Sequence, residues 1–364
     1  MKLFFVSKLI NGKGKRMRYF KKLFFTLCFT LLASSIGWTG EKNDESGLKF
    51  VGLVDINMGF NKVKKPDLSD NSHFTLSEVR FGVEWKISEL VFVHADILME
   101  GNKKDGFSAG PGDVFGEITL SKNLPIHIKA GKYELPIQLT RKQQFTVTDS
   151  WVIDSTNIST GAGELGFTYK FVRMGFGMFE SKSNIISKPN TNDNISEIFT
   201  YLTLNPTLAK INLFMNLAYA SHVGDSPVGG EIDYTNKIGS LTAEFKAVMF
   251  NLHILASAFF RMKNDDNFNT KNAFRGEIAY NFGGISKYPF KICVFTDIKK
   301  LAPATKAALD ESELRIGTLI GYEVAAGTAI NLEGWTTSVG KEESMLKLQL
   351  IFEIPGHTIH KQHN

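Results

Sequence analysis

From Leu48 onward the chain alternates. Apolar side chains recur at every second position over short runs, with polar or charged residues between them. This is the period of a strand with one face toward an apolar phase and the other toward water. In the first run Leu48, Phe50, Val54, Ile56, Met58 and Phe60 share a face, opposite Lys49, Asp55, Asn57 and Asn61. In the second, Val79, Phe81, Val83, Trp85 and Ile87 alternate with Glu78, Arg80, Gly82, Glu84 and Lys86. Similar runs cover 91–100, 114–121, 126–133, 164–171, 173–178, 197–204, 209–220, 238–246, 250–261, 273–282, 290–298, 314–323, 328–336 and 345–354. Together they predict about sixteen strands. Parity is blurred in two of them, by Phe199 and Tyr201 and by Ser240 and Leu241. No sustained helical period appears.

A soluble antiparallel protein also alternates, with its apolar face toward a core. Connection lengths separate the two cases. If the first strand starts in the periplasm, the connections after odd strands are long: 62–73, 101–112, 135–163, 181–196, 221–237, 262–272, 299–313 and 337–344. Those after even strands are mostly short, down to Ser88-Glu89 and the turn near Phe171. Short periplasmic turns with longer outer loops mark outer-membrane barrels, and a sandwich has no reason to produce the asymmetry. The aromatics fit the same threading. Trp85, Tyr169, Phe171, Tyr280, Phe282, Phe290, Tyr322 and Phe352 fall on the apolar face at one end, and Phe60, Tyr219, Phe260 and Phe274 at the other. These are the two expected interfacial girdles. An Arg or Lys facing lipid at midplane would cost about 2–4 kcal/mol, so the charged faces must line a lumen. The fold class is therefore all-β: an antiparallel transmembrane outer-membrane β-barrel that encloses water, in contact with outer-membrane lipid. The last strand resembles the C-terminal signal read by the barrel-assembly machinery, although PGHTIHKQHN follows it.

Charge adds a targeting segment. The 364-residue chain has a formal net charge of +5. Eight of its 42 basic residues, and no acid, lie in residues 1–40, which leaves 34 basic against 37 acidic residues beyond. The basicity thus belongs to the N-terminus, and no nucleic-acid partner is expected. Arg18, Lys21 and Lys22, the apolar run Leu23–Leu32 and the small residues Ala33, Ser34, Ser35 and Gly37 read as a secretory signal peptide. Met17 is a candidate start, with 1–16 an upstream extension. The expected organisation is a signal over 1–40, a barrel over 41–354 and a polar tail over 355–364. Cys28 lies inside the signal, so Cys293 alone remains and no intramolecular disulfide is expected.

Candidate chemistry is sparse. His94 and Asp96 lie two apart on one strand, so both point into the lumen, where such a pair could serve as a hydrolytic dyad. No serine stands in a nucleophile context beside them. His357, His360 and His363 form a histidine-bearing tail open to a metal or a bland flexible reading. Inward bases, among them Arg80, Lys129, Arg173, Arg275 and Arg315, are matched by inward acids such as Glu78, Asp96, Glu164, Glu277 and Asp297. Balanced sets of this kind tie a wall together across strands. No one-sign ring for strong ion selection is evident.

The stretch 135–163 is the best site candidate. Long excursions inside a regular fold are usually functional or disordered. This one carries Arg141, Lys142, Gln143, Gln144, Asp149, Trp151, Asp154 and Asn157. Folded inward, it would narrow the pore, with Arg141 and Lys142 meeting an anionic group and Trp151 stacking on a flat solute. Asp149, Asp154 and the wall residues Arg80 and Lys129 complete the expected constriction. The alternative is an ordinary outer loop.

A family resemblance sits at the same place. Gly131-Lys132-Tyr133-x-Leu135-Pro136, Thr148-Asp149-Ser150-x-x-Ile153-Asp154-Ser155 and Gly163-Glu164-Leu165-Gly166-Phe167 resemble the fifth-strand and third-loop region of the LbtU-type siderophore porins. These are similar in plan to phosphate-selective porins. Where family members often read Pro-Phe-Gly, this chain reads Pro136-Ile137-Gln138, and Glu41–Ser46 is too short for the coiled segment many of them carry. The resemblance implies a plug-less barrel that admits ferric siderophores. The expected function is a passive, cofactor-free porin for small polar or anionic solutes, with homotrimer formation a candidate state. An outer-membrane hydrolase built on the lumen His/Asp pair and a surface adhesin or structural barrel are the rival readings.

Overall fold

The computed structural model describes residues 47–63, 71–102, 106–121, 124–137, 146, 150–156, 159–180, 195–221, 239–262, 270–284, 289–301, 312–325, 328–338 and 343–353. All belong to one compact unit, Glu45–Asn364. Its first half comprises β1 (Gly47–Val63), β2 (Asn71–Ser88), β3 (Val91–Asn102), β4 (Gly106–Ser121), β5 (Leu124–Glu134), the short helix α1 (Trp151–Thr156), β6 (Ser159–Tyr169), β7 (Val172–Glu180) and β8 (Ile195–Leu204, continued by Thr207–Leu208). Then come β9 (Ile211–Ala220), β10 (Ser240–Met249), β11 (Leu252–Arg261), β12 (Thr270–Asn281), β13 (Phe290–Leu301), β14 (Ser312–Ala325), β15 (Thr328–Ser338) and β16 (Glu343–Glu353).

Each strand pairs antiparallel with its chain neighbour, and β1 pairs with β16 from Leu53 opposite Glu353 to Val63 opposite Glu343. The sheet therefore closes on itself and leaves no edge. The two pieces of β8 count as one strand because they hold one register on β9, with Leu204 opposite Met215 and Thr207 opposite Asn212. Pro206, which has no N–H to give a ladder, interrupts them. Its carbonyl still accepts from the Leu213 amide at 3.0 Å. The result is a closed antiparallel barrel of sixteen strands, as the alternation predicts.

The two faces separate as their chemistry requires. Phe50, Ile97, Ile128, Leu165, Phe176, Leu217, Ile278 and Ile320 stand exposed on the outside, while Glu164, Glu197, Arg275, Asp297 and Glu333 are buried within. The blurred runs resolve on this rule. In β8, Ile198 and Leu202 face out, and Phe199 and Tyr201 turn in, fully or almost fully buried. In β10, Ser240, Thr242 and Glu244 face in. Several exposed aromatics lie toward strand ends, among them Trp85, Tyr169, Phe171, Phe260 and Phe274. Phe282 stacks on Phe290 at 4.3 Å, and Phe260 meets Phe274 edge-on at 5.3 Å. Two-residue turns close several hairpins at the short-turn end. The first turn residue takes positive φ at Lys170 (50°), Ala209 (55°) and Phe250 (52°), as the twist of flanking strands demands of tight hairpins.

Two of the expected long connections are shorter. β2 begins at Asn71, inside the predicted 62–73 loop, and the β3–β4 hairpin spans only 103–105 rather than 101–112. Asn71–Ser77 carries an apolar pair, Phe74 and Leu76, but out of step with Val79, Phe81 and Val83, and the register shift between Asp55 and Ile56 absorbs Ser77 and brings the two sets onto one face. The ladder there is held by backbone bonds, which continue past the apolar band. The β3–β4 register also shifts between Ala95 and Ile97, which accommodates Pro111 in a strand.

Candidate functional site

Where its side chains are described, the loop after β5 lies against the inner wall. Leu135 and Ile137 are buried. The Pro136 carbonyl accepts from Asn216 Nδ2 on β9 at 3.4 Å, and the Ile137 carbonyl from Thr242 Oγ1 on β10 at 2.5 Å. Farther along, Thr146 Oγ1 accepts from Arg275 Nη2 at 2.6 Å and donates to Glu277 Oε1 at 3.3 Å, both on β12. Ser150 then caps α1, its Oγ accepting from the Ile153 amide at 3.2 Å. The helix packs on β11, β12 and β13. Val152 and Ile153 are buried, and Ile153 packs on Leu255. Trp151 is 8% exposed, with the Arg315 guanidinium 4.4 Å and the Lys299 ammonium 4.9 Å from its ring centre.

The wall beneath this loop is an ion-pair ladder. Arg275, Asp297 and Arg315 are successive cross-strand partners on β12, β13 and β14. Arg275 Nη1 lies 2.6 Å from Asp297 Oδ2 and Nη2 2.7 Å from Glu277 Oε1, while Arg315 Nη1 reaches Asp297 Oδ2 at 3.4 Å. The Phe295 ring lies 4.0 Å from the Arg275 guanidinium. These charges are sealed from water, so their hydrogen bonds must offset a large desolvation cost.

A second cluster spans β4 to β8. Glu164 accepts from Tyr201 OH and from Tyr133 OH (3.4 Å), and His127 Nε2 lies 3.3 Å away. Tyr201 in turn accepts from Arg173 Nε at 3.0 Å, and Arg173 Nη2 lies 3.7 Å from Glu164 Oε1. Tyr201 reaches Glu164 by lying across Gly175. A Cβ at that glycine would come within 2.6 Å of the tyrosine ring. Lys129 is the cross-strand partner of Glu164, and its ammonium sits 3.9 Å from the ring centres of both Phe115 and Tyr133. Gly131, between them in the chain, has φ of 135°, a conformation that favours glycine. A Cβ there would meet Phe115 Cα at 2.6 Å.

A third cluster lies on β2 to β4. Arg80 Nε bonds Glu78 Oε1 at 2.7 Å, and Nη1 lies 3.2 Å from Asp96 Oδ2 and 3.8 Å from Asp113 Oδ2. His94 Nε2 lies 3.0 Å from Asp96 Oδ2 and its Nδ1 3.7 Å from Glu84 Oε1, with the ring stacked on Phe115 at 5.3 Å. The partners of His94 are thus two carboxylates and a phenyl ring. Among the described residues none offers the hydroxyl nucleophile a hydrolytic dyad needs.

No family model matches the chain, and no curated protein matches its sequence. Solved structures do match over most of its length. Salmonella typhi OmpF, solved with daunomycin, superposes with a TM-score of 0.62 at 8% identity, covering 86% of this chain and 99% of that one. Pseudomonas putida OprB gives 0.61 at 9% identity over 84% and 94%. The Acinetobacter baumannii outer-membrane channel DcaP gives 0.59 at 9% over 87% and 100%. The fold is the porin barrel. At these identities the likeness speaks for fold alone, and the LbtU-type resemblance gains no family match.

Within this porin barrel the expected site residues divide. Arg141, Lys142 and Asp149 lie outside the described residues, as do the three tail histidines. Asp154 lies on α1, with its side chain outside the described set. Trp151 is packed against the wall, with little ring left for a solute. Arg80 and Lys129 line the lumen, each in its own cluster. Sequence reasoning did not single out Thr146, Tyr133 or Tyr201. The parity break at Phe199 and Tyr201 was the available signal, since two inward aromatics on a wall otherwise polar need something to pack against. Among the described residues no three His, Cys, Asp or Glu side chains are placed to hold a metal.

Proposed function

We propose that this chain is an outer-membrane porin, a passive diffusion pore for small polar or anionic solutes whose lumen is narrowed by the 135–163 loop. The observation that carries this reading is the seating of the loop. Its described residues bond inward-facing side chains on β9, β10 and β12 and pack α1 on the same wall, inside a closed sixteen-stranded barrel. The outer-membrane porins among its structural neighbours support it. A barrel of this strand number encloses water rather than a packed core, so an inward loop sets the width. Arg141, Lys142, Asp149 and Asp154 on the loop, with Arg80 and Lys129 on the wall, are the groups proposed to meet the solute, while Trp151 is assigned an anchoring part. Full-length protein added to a planar bilayer should give discrete conductance steps. A well-folded preparation that gives none sinks the pore reading.

Ferric siderophores are the finer candidate within this class. They rest on the motif from Gly131 to Phe167, which resembles the LbtU-type porins. Uptake of labelled ferric siderophore under iron limitation, with and without the gene, tests that step separately from conductance. Equal uptake in both strains removes the siderophore and leaves the pore.

A further inference from the structure

Carboxylates and cations are balanced in number on the inner wall, but they are not balanced in depth at β5–β7. Glu164 is 0% exposed at its side chain, while Arg173 beside it is 43% exposed. Glu164 is already engaged by Tyr201, Tyr133 and His127. Tyr201 holds the Nε edge of Arg173 and passes its own proton toward Glu164, so the guanidinium is fixed with its Nη edge toward the lumen. Among the described residues Arg173 is bonded only to Tyr201 and paired only with Glu164, while Glu117 on β4 attracts it from farther off. Lys129 presents a similar surplus. Two aromatic faces stabilise its charge, yet among the described residues no carboxylate lies within ion-pair distance of its ammonium. Rings leave its three N–H donors without acceptors. Two cations therefore flank a carboxylate that is sealed beneath them, with the half-buried Glu117 facing Lys129 from β4 beyond ion-pair distance.

The Arg80 cluster is the control within the same wall. Arg80 is 25% exposed, and Asp113 beside it is 21% exposed, so a passing ion meets both signs together. At β5–β7 the carboxylate paired with the arginine is fully buried while the arginine itself stays in reach of the lumen.

We propose that Arg173 and Lys129 form an oxyanion-binding subsite on the inner wall of β5–β7, which takes a carboxylate or phosphate group of a solute in the lumen. The planar fork of Arg173 suits two parallel N–H···O bonds to such a group, and Lys129 adds a point charge. Glu164 is the structural counter-charge that holds the two cations in place. This deepens the pore reading and depends on it.

Single channels of the full-length protein in a planar bilayer test it, under a KCl gradient and then with millimolar citrate or inorganic phosphate added. The native barrel should prefer chloride over potassium, and citrate or phosphate should lower its chloride current. Block by one and not by the other identifies which oxyanion the subsite takes. Replacing Arg173→Gln together with Lys129→Gln should lower the chloride-to-potassium permeability ratio by about twofold or more and abolish the block. Arg173→Lys, which keeps the charge, should keep most of the ratio but weaken the block. A double variant that conducts with unchanged ratio and block overturns the subsite, as does a native channel that prefers potassium. If the double variant gives no channels, Arg173→Gln alone decides, since its half-exposed side chain is the least disruptive to replace. Unchanged ratio and block in that single variant overturn the proposal. Native protein without any channel steps would instead overturn the pore reading beneath it.

Discussion

Arg173 on β7 and Arg275 on β12 begin alike and end differently. Each is an inward arginine on an alternating strand, and each pairs with a buried carboxylate. Arg275 and both its acids are 0% exposed at their side chains, and Nη2, which faces Glu277, also donates to Thr146 of the loop. Arg173 keeps one edge toward the lumen. The difference lies in what covers each arginine. The 135–163 loop crosses over β9 to β14 and converts the Arg275 ladder into an anchor. No described residue of the loop bonds Arg173 or Lys129. Inward arginines on the same wall thus hold a constriction in place on one side and present charge on the other.

The sharpest way to break this comparison is to remove Arg275. Arg275→Ala strips Asp297 and Glu277 of their central partner, and breaking a buried pair typically costs about 3–5 kcal/mol. Arg315 still reaches Asp297 at 3.4 Å, which places the expected loss in the lower half of that range. Urea unfolding of the barrel in lipid vesicles should move by that amount, and surviving channels should be wider and noisier as Thr146 comes free. A stable variant with native conductance would show that the ladder does not hold the loop.

Trp151→Ala tests the second anchor. Deleting a buried Trp side chain costs about 3–5 kcal/mol. The ring sits in a helix of six residues, which can shift and partly refill the space, so about 3 kcal/mol is expected. Arg315 would keep Trp335 at 5.1 Å and Lys299 its pair with Glu313 at 3.0 Å, but both would lose the Trp151 ring beside them. Conductance should rise, and anion preference with it. Unchanged conductance would separate loop anchoring from pore width and leave the constriction to other residues.

This contrast was only half legible in the sequence. Alternation placed Arg80, Lys129, Arg173 and Arg275 on the inner face correctly, because a charged side chain has nowhere else to go in lipid. It also located the loop, as a gap between two regular strands. Depth was not legible. Whether an inward arginine is capped by a loop or open to water depends on contacts far apart in sequence, such as Thr146 with Arg275. The extra length of β2 and β4 was hidden for a related reason. Phe74 and Leu76 fall out of step with Val79 and Phe81, and only the pairing with β1, which skips Ser77, realigns them. The part given to Trp151 failed to anticipate its burial because residue type is silent on which face of a ring is already occupied.

Tyr201→Phe works on the β5–β8 side. Its hydroxyl donates to Glu164 and accepts from Arg173, so removing one oxygen loosens both. Leaving a buried acceptor under-satisfied costs about 1–3 kcal/mol. Tyr133 and His127 remain on Glu164, so about 1 kcal/mol is expected in the same unfolding assay. Chloride preference should fall slightly as the guanidinium loses its fixed orientation. An unchanged preference would mean that Arg173 needs no positioning by Tyr201.

The smallest expected change in stability is the one that sharpens the comparison most. Arg173→Gln removes an arginine from a buried carboxylate, as Arg275→Ala does. Arg173 is 43% exposed and 3.7 Å from Glu164, so water screens the pair, and exposed ion pairs contribute about 0–1 kcal/mol. Glu164 keeps three other partners, whereas Asp297 and Glu277 lose their principal one. Unfolding should therefore barely move for Arg173→Gln while ion preference shifts, the reverse of the pattern expected for Arg275→Ala. Equal destabilisation by the two substitutions would mean that the β5–β7 cluster is a structural tie like the other, and that its open guanidinium edge has no separate role.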